Sequence, residues 1–136
     1  MKSRLTIDSG PLIATLYAKD RYHQQALTGF TRLQQEHQQL IVPLPIVFEV
    51  YRWLLQRQGV KVAQAILLDM DRGFEIDTIN SEDYQTIQAI AQHIPGWSGT
   101  LADATVIHVA VKLQCPIWTL DYRDLGRFKM LKFWNP

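Results

Sequence analysis

Four acidic residues occupy places where a carboxylate can do chemistry. Asp8 directly follows a short apolar run, Leu5 to Ile7, and Asp121 follows another, Ile117 to Leu120, in the same way. Glu49 comes early in a helical stretch entered through Pro43 and Pro45, and Asp103 lies near the start of the helical run Leu101 to Leu113. If these side chains converge, they repel: two carboxylates about 4 Å apart cost about 4 kcal/mol at an effective dielectric near 20. A divalent cation resolves that conflict. Oxygen-only donor sets suit Mg²⁺ or Mn²⁺, which keep several waters and take phosphate oxygens as further ligands. Metal, carboxylates and bound water together point to phosphodiester hydrolysis.

Each acid also has a local reading. Asp8, Ser9, Gly10 and Pro11 form a plausible helix start with Asp8 as the cap. Asp121 could simply open a turn. Glu49 could pair with Arg52 one helical turn away. Asp103 stands three residues after Thr100, the spacing of a capping box, although Glu or Gln is the usual partner. On a helical wheel Asp103 falls beside Val106, Ile107 and Ala110, opposite a polar side of Thr105, His108 and Lys112. A carboxylate on a core-facing stripe should be neutral, paired or bound to a cation.

The elements that must position these acids follow from periodicity. Short β-prone runs at Leu5–Ile7, Leu40–Val42, Phe74–Ile79 and Ile117–Leu120 predict strands, with Leu131–Trp134 as a candidate fifth. Helical period marks Pro11–Ala18, Tyr22–His37, Pro45–Gln58, Val60–Arg72, Ser81–His93 and Leu101–Leu113. Strands alternating with helices predict one α/β domain over residues 1–136, with a mostly parallel sheet of four to five strands covered on both faces. Ligands in such sheets bind at the carboxyl ends of the strands, where Asp8 and Asp121 stand.

Composition narrows the function. The chain has 136 residues, 47% of them apolar, and a formal net charge of +1. That balance argues against a strongly basic, non-specific nucleic-acid binder but leaves room for a nuclease with a local basic rim. One cysteine, Cys115, rules out a disulfide framework, and the four histidines lack zinc-ligand spacing. His108, on the polar side of its helix, is expected to be solvated. Leu5 to Ile7 is too short for a secretory signal, and the longest nearly apolar run, Leu40 to Phe48, is too short to span a membrane. A soluble cytoplasmic protein is expected.

In order and setting, these residues resemble the PIN-domain ribonucleases, particularly the VapC-type toxins of bacterial toxin–antitoxin pairs. Asp8 with Ser9 matches the first acid of that pattern and Glu49 the second. The stretch Leu101, Asp103, Ala104, Ala110 resembles the third-acid helix. Ile117, Thr119, Leu120, Asp121, Asp124 and Leu125 resemble the last strand and its acidic turn, and Asp20 with His23 resembles an early helical pattern in which the His is structural. The resemblance implies a PIN-like three-layer α/β/α sandwich and a Mg²⁺-dependent endoribonuclease, Mn²⁺ being an alternative. Its site would be Asp8, Glu49, Asp103 and Asp121, with Asp8 and Asp103 as main metal ligands. Glu49 and Asp121 would bind through water or position a second ion, and cleavage would leave a 5′ phosphate. Asp124, Ser9 and Thr119 would be accessory. A homodimer and a cognate antitoxin are implied as partners.

Two further regions bear on partners. Arg123, Arg127 and Lys129, interleaved with Tyr122, Phe128, Phe133 and Trp134, could face RNA, or the aromatics could be core at a solvated edge. The helices between Tyr22 and Arg72 carry more apolar positions than one small core needs, Phe48, Leu67 and Leu68 among them, which suggests an intermolecular surface. Competing functions are a housekeeping nuclease without an antitoxin and a non-catalytic binding module. A phosphoacceptor domain would place a Lys where Tyr122 stands, and a haloacid-dehalogenase-like phosphatase an Asp where Gly10 stands.

Overall fold

The computed structural model describes residues 3–136. Each apolar run becomes a short strand and each periodic stretch a helix: β1 (Arg4–Ile7), α1 (Ser9–Leu16), α2 (His23–Gln35), β2 (Gln39–Pro43), α3 (Leu44–Gln58), α4 (Val60–Gly73), β3 (Glu75–Asp77), α5 (Ser81–His93), α6 (Leu101–Leu113) and β4 (Ile117–Trp118). The four strands form one sheet in the order β3-β2-β1-β4, every neighbouring pair parallel. The candidate fifth strand contributes one parallel bridge, between Ile117 and Phe133.

Strand order dictates the layers. The chain steps from β1 to β2 to β3 in one direction, then returns past β1 to place β4 on its other side. Right-handed crossovers therefore put α1 to α4 on one face and α5 with α6 on the other, the expected three-layer α/β/α sandwich. The reversal opens a crevice between the carboxyl ends of β1 and β4, where a doubly wound sheet holds its ligand. Asp8 ends one of these strands and Asp121 lies just beyond the other. The first turn of α1 presses closely on that junction, since a Cβ on Gly10 would sit 3.2 Å from the Leu120 side chain.

The core explains why the strands read as continuous apolar runs. Leu5, Ile7, Ile41, Val42, Ile117 and Trp118 are all buried, as expected for a parallel sheet covered on both faces. Trp118 is packed between Phe30, 4.7 Å away between ring centroids, and Trp134 at 5.0 Å. Its indole leaves no room on α2, where a Cβ on Gly29 would lie 2.5 Å from the ring. The C-terminal aromatics thus face inward: Phe133 and Trp134 pack on the core, and Tyr122 meets Phe133 edge-on. Of the apolar surplus on α3 and α4, Leu54 and Met70 are buried, while Phe48, Leu67 and Leu68 stay exposed. No described helix is long and apolar enough to cross a membrane.

One expectation is corrected. Thr105 is buried and His108 lies against α5, its Nε2 2.7 Å from Asp83 Oδ1. The side of α6 that the wheel assigns to solvent is covered by another helix.

Candidate active site

Asp8 is the most confined of the four acids, only 5% exposed at the end of β1. Its Oδ1 accepts the Ser9 N–H at 2.8 Å, capping α1, and its Oδ2 accepts the Thr119 hydroxyl at 2.8 Å. The capping role and the site role therefore coexist. Burial pushes its pKa up from 3.8 to about 6; the hydrogen bonds from Thr119 and Ser9 hold it down, and the charges of Asp103 and Glu49 raise it further. Asp8 is thus a buried acid with no Lys, Arg or His paired to it among the described residues.

Two hydroxyls join the first acid to the others. Ser9 Oγ donates to Glu49 Oε1 at 2.8 Å, so Glu49, exposed on the first turns of α3, is held by α1 rather than by Arg52. Thr119 Oγ1 donates to Asp8 and accepts the Asp121 N–H at 3.1 Å. Ser9 thus orients a carboxylate, and Thr119 both orients one and bonds local backbone.

Asp103 caps its own helix. Thr100 Oγ1 accepts the Asp103 N–H at 3.0 Å, and Asp103 Oδ2 accepts the Thr100 N–H at 3.0 Å, a complete capping box. The second oxygen, Oδ1, has no hydrogen-bond partner among the described residues. The cap explains one oxygen of this carboxylate and leaves the other free.

Asp121 faces solvent and is gripped by Arg123, whose backbone N–H and guanidinium both donate to it at 3.0–3.3 Å. That donor set lowers its pKa. Asp124 accepts the Ser98 N–H at 2.9 Å and lies 4.0 Å from Arg127 Nε. Two of the three cations assigned to an RNA-facing rim thus lie against the acidic turn, while Lys129 is exposed. His23 bonds the Ala14 carbonyl at 2.7 Å through Nδ1, consistent with a structural role.

Among the described residues, no three His, Cys, Asp or Glu side chains close on a point where they could hold an ion. The hydrogen bonds account for this: Asp103 is turned to its cap, Asp121 to Arg123 and Glu49 to Ser9. The donor chemistry nevertheless fits a hard divalent cation. No ion pair reaches Asp8, Glu49 or Asp103 among the described residues. Two of these three carboxylates destabilise the ionised form of the third, the charge imbalance a cation relieves. The segment His93 to Gly99, whose Pro and Gly content marks a loop near the site in the sequence, does border Asp103 through Gly99; the part played by Ser98 has no signal in the sequence.

No family model matches the sequence, and no curated protein is significantly similar to it. Solved structures do match. The sarcin–ricin loop cleaving toxin VapC20 of Mycobacterium tuberculosis superposes with a TM-score of 0.77 at 17% identity, over 97% of this chain and 99% of that one. The chain has the PIN fold of the VapC toxins. VapBC2 of Rickettsia felis, solved bound to a promoter DNA fragment, gives a TM-score of 0.76 at 10% identity over 98% of both chains. VapBC-1 of nontypeable Haemophilus influenzae gives 0.75 at 14% identity over 97% of both. The VapC likeness spans the whole domain, so the junction of β1 and β4 is shared architecture.

Proposed function

We propose that this protein is a divalent-metal-dependent endoribonuclease, the toxin of a toxin–antitoxin pair, with Asp8, Glu49, Asp103 and Asp121 as its acidic site. One observation carries the reading: at the sheet's switch point, a carboxylate whose pKa is raised by burial stands near two further carboxylates whose charges raise it more, and one of these keeps an oxygen free of hydrogen bonds among the described residues. The VapC fold supports it, and the VapBC structures support an antitoxin partner.

Asp8 and Asp103 would hold Mg²⁺ or Mn²⁺, with Glu49 and Asp121 binding through water or positioning a second ion. The cation, when bound, supplies a water of lowered pKa and a positive charge facing the reacting phosphate. Thr119 keeps the Asp8 carboxylate in one orientation, and Ser9 does the same for Glu49. Thr100 fixes the remaining oxygen of Asp103. A cation held by Asp8 would compete with the proton that burial helps this carboxyl keep up to about pH 6, so metal affinity would fall at lower pH. Arg123, Arg127 and Lys129 would form a basic rim towards the RNA backbone. The exposed apolar side chains Phe48, Leu67 and Leu68 support a protein partner, either a second copy or the antitoxin.

The test is cleavage of a structured RNA pool by purified protein in EDTA, Mg²⁺ or Mn²⁺, alongside Asp103→Asn. Metal-dependent cleavage that disappears in the variant is expected. Wild-type rates from both Asp8→Asn and Asp103→Asn would sink the site assignment. Absence of cleavage under every condition would favour a binding module.

A further inference from the structure

Asp124 occupies the acidic turn after β4, yet its hydrogen bonds lead elsewhere. Oδ1 accepts the Ser98 N–H at 2.9 Å and lies 3.2 Å from the Ser98 hydroxyl, which is also 3.5 Å from Oδ2. The side chain is only 13% exposed. It thus grips a residue 26 positions earlier, in the loop that feeds α6.

That loop ends at the third acid. Two residues after Ser98, the Thr100 N–H donates to Asp103 Oδ2 at 3.0 Å. Between them Gly99 lies against the same oxygen: a Cβ there would be 3.0 Å from Asp103 Oδ2 and 2.7 Å from the Trp97 ring. Upstream, Gly96 has φ +75°, and a Cβ on it would lie 2.7 Å from the Arg127 guanidinium. The turn carrying Asp124 and Arg127 therefore meets the loop at two points, Gly96 and Ser98.

We propose that Asp124 is a positioning residue, a clasp that fixes segment 96–100 and, through the Thr100 N–H, the carboxylate of Asp103, rather than a ligand of the acidic site. Its functional meaning rests on the proposed nuclease site; the clasp itself does not. A carboxylate that must meet a metal tolerates displacements of only about 0.5 Å, so the loop entering its cap is where such control belongs. Outer partners of this kind typically change metal affinity or activity by about 10- to 100-fold.

Asn at position 124 keeps an Oδ1 that can accept both Ser98 bonds but loses the charge, whereas Ala loses both, so the pair separates a clasp from a ligand. The measurements, on the full chain, are residue-resolved amide exchange in metal-free protein, Mn²⁺ titration, and kcat and KM on RNA. Asp124→Asn should stay close to wild type in all three. Asp124→Ala should speed exchange at Ser98, Thr100 and Asp103, weaken Mn²⁺ binding by about 10- to 100-fold and lower kcat more than it raises KM. Ser98→Ala, which keeps the N–H and removes only the hydroxyl, should move the same amides less, and it stands in if the Ala variant does not fold. Asn as damaging as Ala with exchange unchanged would make Asp124 a ligand and overturn the clasp. Unaltered exchange in Asp124→Ala would also overturn it. Should Asp103→Asn leave Mn²⁺ binding intact, the nuclease reading fails on its own, and exchange at Thr100 still decides the clasp.

Discussion

The starts of α5 and α6 are built from the same local motif and end in opposite states. Asn80 and Asp83 form a capping box at α5, Thr100 and Asp103 another at α6, with all four bonds between 2.8 and 3.0 Å. In each, one carboxylate oxygen accepts the N-cap N–H. The other oxygen differs. Asp83 Oδ1 meets His108 at 2.7 Å and Lys112 at 3.5 Å, and Lys112 reaches on to Asp77 at 3.2 Å. These partners, led by the Asn80 N–H and then His108, lower its pKa to about 2. Asp103 Oδ1 has no such partner among the described residues, and its charge instead raises Asp8. One cap is matched by the basic groups around it and is structural; the other keeps an oxygen with no hydrogen bond or ion pair among the described residues, near enough to Asp8 for its charge to be felt there.

The sharpest way to break this contrast is to neutralise both acids in turn. Asp103→Asn should reduce RNA cleavage to background with the fold intact. Asp83→Ala should leave cleavage measurable but cost about 2–3 kcal/mol in urea denaturation, because charge-assisted bonds to a nearly buried carboxylate are lost. Equal effects of the two variants on cleavage would erase the distinction.

Next in size is Asp8, where the sign is opposite to that of Asp83. Its folded pKa, about 6, lies above the ordinary 3.8, so the metal-free fold holds this proton more tightly than the unfolded chain does. Its contribution to stability is present below about pH 4 and is lost as pH rises through 6. Asp8→Asn should therefore stabilise the metal-free protein by about 3 kcal/mol at pH 7–8 and by almost nothing at pH 3.5. Chemical denaturation at the two pH values checks this, and a destabilised variant at pH 8 would contradict it.

The smallest expected effect sharpens the comparison most. Asn80→Ala and Thr100→Ala each remove a cap and should cost about 1 kcal/mol in thermal denaturation. Only Thr100→Ala should also slow cleavage, because only its partner carries the proposed chemistry.

Much of this fold was legible in the chain. The helix boundaries agree within two residues of those read from periodicity, and the strands lie where β-prone runs stand, because both signals are local. The candidate fifth strand shrank to one bridge, since Phe133 and Trp134 turn onto Trp118 instead of extending the sheet. His108 departs from its expected exposure because a helical wheel reports which residues are polar, not which helix covers them.

The sequence alone determined what the four acids share: each ends a strand or enters a helix, and the spacing of Thr100 and Asp103 wrote the cap. Whether a carboxylate is then satisfied depends on donors far away in the chain, and only the tertiary structure supplied those. Thr119 reaches Asp8 across 111 residues, His108 reaches Asp83 across 25, and Ser98 reaches Asp124 across 26. A capping box satisfies one oxygen from within its own turn; the fate of the other is set by whichever element packs beside it.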